Sequence, residues 1–213
     1  MPTKTFFRLR DEKQEGLLRS AIHEFLEHGY ERAKIGDIAK NAGVATGSVY
    51  QYFEDKKELY IYCARWGLEV FMKKLGKRVD LDKMDIYEYF HDSISKMDII
   101  ADERELVMFM QSISREPGLF DDSMKAMYET GDTYIKTLIQ SSKDKGTVRA
   151  DIDDELLKEY FIAVTDRFRM RWAERYVDFT KEMTEEQNQA IQKELDQMLE
   201  LLRKGMGNPS PCA

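Results

Sequence analysis

Residues 35–53 have the sequence IGDIAKNAGVATGSVYQYF, which is the most informative segment of the chain. Residues 35–42 and 46–53 each have the spacing of a short helix, and Gly43 lies at the turn between them. A glycine at this turn adopts a positive φ without steric cost, and the small side chain of Ala39 lets the second helix come close. Val44 and Val49 fill the apolar angle between the two helices. The pattern predicts a helix-turn-helix, in which two helices cross steeply through a short turn.

A helix-turn-helix cannot bury its own apolar face, and the preceding sequence supplies the cover. Between residues 11 and 28, apolar side chains recur at the spacing of one helical face: Leu18, Ala21, Ile22, Phe25 and Leu26. Gly29 is a natural end for this helix. Beyond residue 53 the same periodicity predicts helices at 56–79, 85–99, 103–114, 121–144, 153–178 and 185–204. No strand-like alternation of useful length occurs, so we predict an all-α protein.

Three features mark helix ends in the second part of the chain. Pro117 and Gly118 are expected to break it between two helices. Asp151 or Asp153 can cap the helix that follows Gly146. Thr184 and Gln187, three residues apart, resemble a capping box that opens the last helix.

The composition excludes several classes of protein. The chain has 213 residues, of which 42% are hydrophobic and 34% charged, which is too apolar for a disordered chain. Its net charge of −7 argues against a general nucleic-acid coat protein. The first 60 residues are neutral, with ten basic and ten acidic side chains, so the acidity lies beyond them. An acidic body with a neutral head and a basic arm (Lys4, Arg8, Arg10) can turn only its head toward a polyanion.

The sequence also predicts where the protein works. Its longest wholly apolar or aromatic run, residues 59–64, is far shorter than the ~20 residues of a membrane helix. The first residues contain no apolar core of signal-peptide length. We therefore expect a cytoplasmic protein with no membrane partner. Cys63 and Cys212 are isolated, and we interpret them as a buried thiol and a tail thiol.

The helix at 46–53 offers a surface suited to DNA. Short polar, glycine and aromatic side chains of this kind can enter a major groove and touch base edges or phosphates. Those predicted to be exposed are Thr46, Gly47, Ser48, Tyr50, Gln51 and Tyr52. Gln51 can pair with adenine, and Lys56 can hold a backbone phosphate. The alternative is an ordinary corner between two helices of a bundle, in which the tyrosines are packing residues.

Residues 11 to 60 resemble the DNA-binding domain of the TetR family of bacterial transcriptional regulators. The matching stretches, in order and spacing, are Phe25 with His28-Gly29-Tyr30, Asp37-Ile38-Ala39, Ala42-Gly43-Val44, Gly47-Ser48-Val49-Tyr50, Tyr52-Phe53 and Lys56-Lys57-Glu58-Leu59-Tyr60. The resemblance covers about a quarter of the chain well. The rest is similar to the family only in being acidic, helical and of suitable length.

The resemblance implies a homodimer that places two such heads on successive major grooves of a palindromic operator. Carried over by position, the DNA contacts fall on Lys34, Thr46, Gly47, Ser48, Tyr50, Gln51, Tyr52 and Lys56. Two departures matter. Lys34 stands where the family often has threonine, and Ala45 and Thr46 stand where serine and lysine are frequent. The second departure removes one capping hydroxyl and one positive charge.

The family resemblance also implies a sensor whose helical core binds a small effector. Aromatic side chains on the helices after residue 56 are candidates for lining such a pocket: Trp66, Phe109, Tyr134 and Phe168. The alternative is that these rings belong to a plain hydrophobic core.

Two helices are candidates for the dimer interface, because each has an apolar stripe that steps by three or four residues. The predicted interface residues are Phe161, Val164, Trp172, Leu195, Met198 and Leu202. In a two-fold dimer, each helix pair meets its copy as a four-helix bundle. The alternative is that these residues are buried within one subunit.

The sequence contains no pattern typical of catalysis. His23 and His28 are five residues apart, which is not the spacing of a zinc motif, and no nucleotide-binding loop or nucleophile motif occurs. We therefore predict no enzyme activity, no catalytic residues, no metal and no cofactor. The predicted division is a DNA-binding domain at 1–55, an effector-binding and dimerisation domain at 56–205, and a flexible tail at 206–213. The function predicted is a repressor released from its operator by a small molecule; the alternative is an all-α ligand-binding or enzymatic bundle without DNA function.

Overall fold

The computed structural model describes residues 1–78, 84–95, 103–176 and 184–207, without side-chain detail at 75–78, 170, 173, 174 and 176. Over these ranges the chain is helical and contains no strand, only an isolated bridge between Val148 and Gly207. The all-α prediction is confirmed. The helices are α1 (Asp11–Arg32), α2 (Ile35–Asn41), α3 (Thr46–Tyr52), α4 (Lys56–Arg78), α5 (Ile86–Ser95), α6 (Arg104–Ser112), α7 (Pro117–Asp144), α8 (Asp154–Tyr176) and α9 (Glu185–Met206). Short 3-10 turns lie at Phe6–Arg8 and Ile113–Arg115.

Most helix ends follow the predicted signals. Gly43 has a φ of 67° at the turn between α2 and α3. Asp153 accepts hydrogen bonds from the amides of Glu155 and Leu156 at the start of α8. The capping box is also confirmed, since Thr184 Oγ1 accepts from Gln187 N at 3.2 Å and Thr184 N donates to Gln187 Oε1 at 2.8 Å. These ends are therefore fixed by local chemistry.

Two helix ends differ from the prediction. Pro117 is the first residue of α7 and not a break before a helix that starts at 121, because a proline at the first helical position needs no N–H partner. Gly29, with a φ of 71°, interrupts α1, but one further turn continues to Arg32. The predicted helix ends at 79, 99 and 178, and most of the tail with Cys212, lie outside the described residues.

The chain divides into two compact units. The first comprises Met1–Met72 and Asp102–Gly131, and the second comprises Lys73–Ala101 and Asp132–Ala213. Helices α4 and α7 each begin in the first unit and end in the second. The domain boundary between residues 55 and 56 stays a prediction. None of the helices over the described residues has both the length and the apolar composition needed to cross a bilayer.

The core of the first unit is formed by the predicted face of α1 packed on α2, α3 and the start of α4. Leu18, Ala21, Ile22 and Phe25 are buried, as predicted, whereas Leu26 is only partly buried. Aromatic rings extend this core along α4 and α6, where Tyr60 lies 4.9 Å from both Phe25 and Phe109 between ring centroids. Burial of these large rings, with that of the aliphatic side chains around them, stabilises the helix-turn-helix.

The second unit has a separate core centred on Phe90 of α5. The ring of Phe90 contacts Phe161 and Phe168 of α8, with ring centroids 5.9 Å and 6.0 Å apart. From α9, Leu195 and Leu202 are fully buried in the same unit. The unit thus buries one face of each of these helices.

Candidate nucleic-acid interface

The angle between α2 and α3 is fixed from the inside. Ile38, Ala39 and Val49 are almost entirely buried in the core of the first unit. At the turn, Val44 N donates to the carbonyl of Ala39 at 2.9 Å. From α1, the Ser20 hydroxyl donates to the carbonyl of Ile38 at 2.9 Å. Helix α3 is therefore held by packing and backbone hydrogen bonds on its inner side. Its outer side is not needed to hold the helix in place.

The outer side of α3 presents most of the predicted DNA contacts together. Thr46, Gly47 and Gln51 are exposed, and Tyr50 is 56% exposed although it is a large aromatic residue. Ser48 is half-buried, and Lys34 is exposed at the start of α2. No acidic or basic residue occurs in α3, whose N-cap residue Ala45 offers no side-chain hydrogen bond. The outer surface of α3 itself is therefore polar and uncharged, and it bears the protruding ring of Tyr50.

Tyr52 is placed differently from the other predicted contacts. It is 8% exposed, and its ring lies 6.1 Å from that of Phe6 and on the inner side of the helix. The structure therefore gives Tyr52 a packing role, which is the role that the alternative interpretation assigned to the tyrosines.

Lys56 is also placed differently, because its ammonium group is directed at the protein. Its Nζ donates to the carbonyl oxygens of Tyr30, Glu31 and Ala33 at 2.6, 3.1 and 3.1 Å. It also lies 4.6 Å from the centre of the Tyr30 ring, a cation–π contact. An ammonium group has three protons, so these three carbonyls use all of its donors. Lys56 closes the end of α1 where Gly29 interrupts it.

The sequence interpretation missed the packing of the residues before α1. Phe6 is fully buried, and its ring centroid lies 5.0 Å from that of Phe53 and 5.6 Å from that of Tyr62. Thr3 donates from its backbone N to the carbonyl of Tyr52 and from its hydroxyl to the carbonyl of Gln51. The available signal was the Phe6-Phe7 pair, since two adjacent large rings are unusual in a free arm.

Ion pairs join α1 to the start of α6 within the first unit. Arg19 forms two hydrogen bonds with Glu103, at 2.9 and 3.2 Å, and these bonds raise the pKa of its guanidinium. His23 Nδ1 lies 3.0 Å from Glu105 Oε1, and the bond to this carboxylate raises the pKa of His23. Charge complementarity thus ties the first helix to a later segment of the chain.

Two further contacts join the helix-turn-helix to residues near the start of α7. Tyr30 N, just after the interruption of α1, donates to Glu116 Oε1 at 3.0 Å. Lys57 Nζ lies 2.7 Å from Asp122 Oδ2, and this hydrogen bond lowers the pKa of Asp122. The end of α1 is therefore held on its N–H side by Glu116 and on its carbonyl side by Lys56.

The four residues predicted to line an effector pocket fall into the two units. Phe109 is fully buried in the core of the first unit, and Trp66 lies there partly buried beneath the guanidinium of Arg19. Phe168 is buried in the second unit, where the half-buried Tyr134 lies 6.2 Å from Tyr89. Within each unit these rings take part in core packing, and the pocket stays a prediction.

The residues predicted for the dimer interface mostly lie inside the second unit. Phe161, Trp172, Leu195, Met198 and Leu202 are buried in a single chain, and Val164 is half-buried. This is the arrangement that the alternative of burial within one subunit requires. The large apolar side chains that α8 and α9 do expose are Leu156, Tyr160 and Leu201.

Among the residues whose placement the structure gives, no group of three or more His, Cys, Asp or Glu side chains could hold a metal ion. The one cysteine described, Cys63, is fully buried, and burial raises the pKa of its thiol. A buried, protonated thiol is a poor nucleophile. The exposed face of α3, held at a fixed angle to α2, is the arrangement of a helix-turn-helix DNA-binding protein.

Comparison with known proteins agrees with this class. Residues 17–63 match the model of the bacterial regulatory proteins of the tetR family. The fatty acid metabolism regulator protein of Bacillus subtilis is 24% identical over 168 residues, which cover 73% of this chain and 81% of that protein. The transcriptional repressor AcnR of Corynebacterium efficiens is 22% identical over 160 residues, covering 75% of this chain and 81% of that protein.

A solved structure shares the fold over nearly the whole chain. The regulator FadR from Bacillus subtilis in complex with stearoyl-CoA aligns with a TM-score of 0.62 and 19% identity, covering 90% of this chain and 98% of that one. The chain is therefore similar to DNA-binding transcriptional regulators of the tetR family, and the match to the family model covers its helix-turn-helix. Regulators of this family bind DNA, dimerise and bind small-molecule effectors.

Proposed function

We propose that this chain is one subunit of a homodimeric repressor, which binds a palindromic operator in the cytoplasm and leaves it when a small molecule binds. The observation that supports DNA reading by α3 is its outer face, where Thr46, Gly47, Tyr50 and Gln51 are exposed together. Tyr50 and Gln51 contact base edges in this proposal, while Thr46, Gly47 and Ser48 approach the phosphates through the first turn of α3. Lys34 contacts a phosphate beside them.

The proposed dimer face lies on α8 and α9 of the second unit. Leu156 is 58% exposed, Tyr160 40% and Leu201 64%, a cluster of solvent-facing apolar residues on two helices. The two helices approach closely here, because a Cβ added to Gly205 would lie 2.7 Å from Tyr160 Oη. Burial of such a face against its copy is favourable and self-complementary around a two-fold axis. Two heads related by that axis meet half-sites about 34 Å apart, which is what a palindrome offers.

The proposed effector domain comprises residues 56–205, and the DNA-binding domain residues 1–55. What supports an acyl-CoA as the first effector to test is the B. subtilis FadR structure, which contains stearoyl-CoA. We expect stearoyl-CoA to raise the melting temperature of this protein and to weaken its DNA complex by about 5- to 150-fold, the usual range of allosteric coupling. Coenzyme A alone is the control. Binding of stearoyl-CoA without loss of DNA affinity would contradict an effector role for it.

The experiment that tests DNA reading starts with selection from a random duplex library at two salt concentrations. We expect a palindrome to be enriched and its affinity to fall steeply as the salt concentration rises. The variant Tyr50→Ala/Gln51→Ala is then measured on the enriched duplex, where we expect a loss of about 10- to 100-fold in affinity. Circular dichroism checks that the helix content is unchanged.

A matched variant controls for unspecific effects of removing these residue types. Tyr128→Ala/Gln189→Ala removes one exposed tyrosine and one exposed glutamine outside the helix-turn-helix. We expect this variant to bind the selected duplex as the parent does. If the Tyr50→Ala/Gln51→Ala protein is folded and also binds like the parent, neither residue belongs to the DNA contacts.

A further inference from the structure

The proposed recognition helix lacks the charges that DNA affinity requires. Neutralised phosphates supply most of the non-specific part of DNA binding, through release of counterions. Helix α3 contains no acidic or basic residue, and the ammonium of Lys56 is bound to three backbone carbonyls. The positive charges that flank α3 must therefore come from other segments of the first unit. On one side these are Lys34 and Lys40, both exposed on or beside α2.

On the other side lies the N-terminal segment (residues 3–10), which is held in one place by its aromatic anchor. Phe6 is fully buried against Phe53 and Tyr62. Its neighbour Phe7 stays 49% exposed, with its ring edge-on to Phe6 at 5.5 Å. Fully burying a phenylalanine side chain contributes roughly 1.5–3 kcal/mol relative to leaving it exposed. The segment is thus part of the folded unit.

The same segment is bonded directly to the last turn of α3. Thr3 N donates to the carbonyl of Tyr52 at 2.9 Å, and Thr3 Oγ1 donates to the carbonyl of Gln51 at 2.7 Å. These carbonyls lie at the end of a helix, where no intrahelical donor is left for them. Thr3 therefore fixes the position of the segment relative to Gln51, and Lys4 follows one residue later.

The charged side chains of the segment are not used by the fold. Lys4, Arg8 and Arg10 are exposed. Among the described residues, no hydrogen bond or ion pair of the Lys4 and Arg8 side chains is found, and Arg10 only approaches Glu12 to 3.9 Å, where both side chains are exposed. Long cationic side chains without partners, anchored next to a DNA-reading helix, suit a phosphate backbone.

We propose that the N-terminal segment is a second DNA-contacting element, in which Lys4 and Arg8 neutralise phosphates beside the bases read by the end of α3. The proposal rests on the proposed function, because it takes α3 as the helix that enters the groove. It assigns two different roles to neighbouring parts of one surface. Helix α3 selects the sequence, and the N-terminal segment supplies affinity that is independent of sequence.

The test measures Lys4→Ala/Arg8→Ala on the selected duplex across a series of salt concentrations, in the full chain. We expect a loss of affinity of at least about tenfold at about 0.1 M salt, and a logarithmic salt slope that is less steep by about one for each phosphate contact removed. The enriched sequence should be the same as for the parent. A second variant, Lys4→Gln/Arg8→Gln, should behave alike, and thermal melting checks that both are folded.

A control separates the proposal from a general effect of net charge. Lys125→Ala/Lys193→Ala removes two exposed lysines elsewhere and changes the net charge equally. We expect its salt slope to equal that of the parent. If the parent binds its palindrome and both variants of the N-terminal segment keep the affinity and the salt slope of the parent, the segment is not a DNA contact. The proposed function then still stands. If the parent binds no duplex, the proposed function fails and this proposal with it.

Discussion

The two units of this regulator expose opposite kinds of surface. Around α3 and the segment before α1 the first unit presents cations and small polar groups, together with the exposed rings of Tyr50 and Phe7. Along α8 and α9 the second unit leaves leucines and a tyrosine in solvent although it has a well-packed core. The first kind of surface attracts a polyanion and is weakened by salt, whereas the second is favoured by burial and is nearly insensitive to salt. In the proposed function, one chain thus uses different surfaces to bind DNA and to bind its copy.

The largest effect is expected from a charge placed on the exposed apolar face of α9. We expect Leu201→Glu to convert the proposed dimer into monomers, because a two-fold interface loses the burial of two leucines, about 3–6 kcal/mol in total. Sedimentation analysis measures the change in mass, and operator affinity should fall with it. Thr133→Glu adds the same charge at an exposed position of α7 and should leave the dimer intact. A Leu201→Glu protein that remains dimeric would place the interface elsewhere.

A second substitution tests whether every cation of the first unit serves DNA. Lys56→Met keeps the length of the side chain but leaves three carbonyls without their charged donor. We expect the free energy of unfolding to fall by about 2 kcal/mol, as measured by urea denaturation. The control is Lys57→Met, one residue further on, whose exposed ion pair with Asp122 contributes little. Loss of DNA affinity without loss of stability would show that Lys56 reaches a phosphate after all.

The smallest expected effect concerns the polar ties inside the first unit. The hydrogen bond from Glu105 raises the pKa of His23 in the folded protein. The pair therefore stabilises the fold fully below the unfolded pKa of about 6.5, and this contribution is lost as the pH rises through the raised pKa. Because both side chains are solvent-exposed, we expect a difference below about 1 kcal/mol. Urea denaturation of the parent and of Glu105→Gln, at about pH 5.5 and about pH 8.5, should show this pH-dependent part only in the parent.

The sequence predicted those parts of the fold that depend on local chemistry. The positive φ of Gly43, the Thr184–Gln187 capping box and the buried face of α1 all follow from residues within a few positions of each other. The exposed face of α3 could be predicted for the same reason, since burying Val49 in the core turns its neighbours outward. The structure adds to these predictions mainly the contacts between residues that lie far apart in the sequence.

Contacts between distant residues could not be predicted in this way. A lysine at the start of a helix looks alike whether its ammonium meets a phosphate or the end of another helix, as that of Lys56 does. The apolar stripe with Leu195 and Leu202 fits the core of a unit as well as the face of a dimer. Apart from its neighbour Phe7, the ring partners of Phe6 lie more than 40 residues further along the chain, so its burial against Phe53 is visible only in three dimensions.

Because α3 carries no charged residue, salt is expected to change the affinity of the regulator for DNA without changing which sequence it prefers. If the groups that compare bases are neutral and the groups that hold phosphates lie on other segments, ionic strength acts only on the second set. A rise in salt concentration then shortens the time the protein spends on every sequence by the same factor. The order of preference among sites stays as it was. Occupancy varies with the salt concentration, and the order of preference among targets does not.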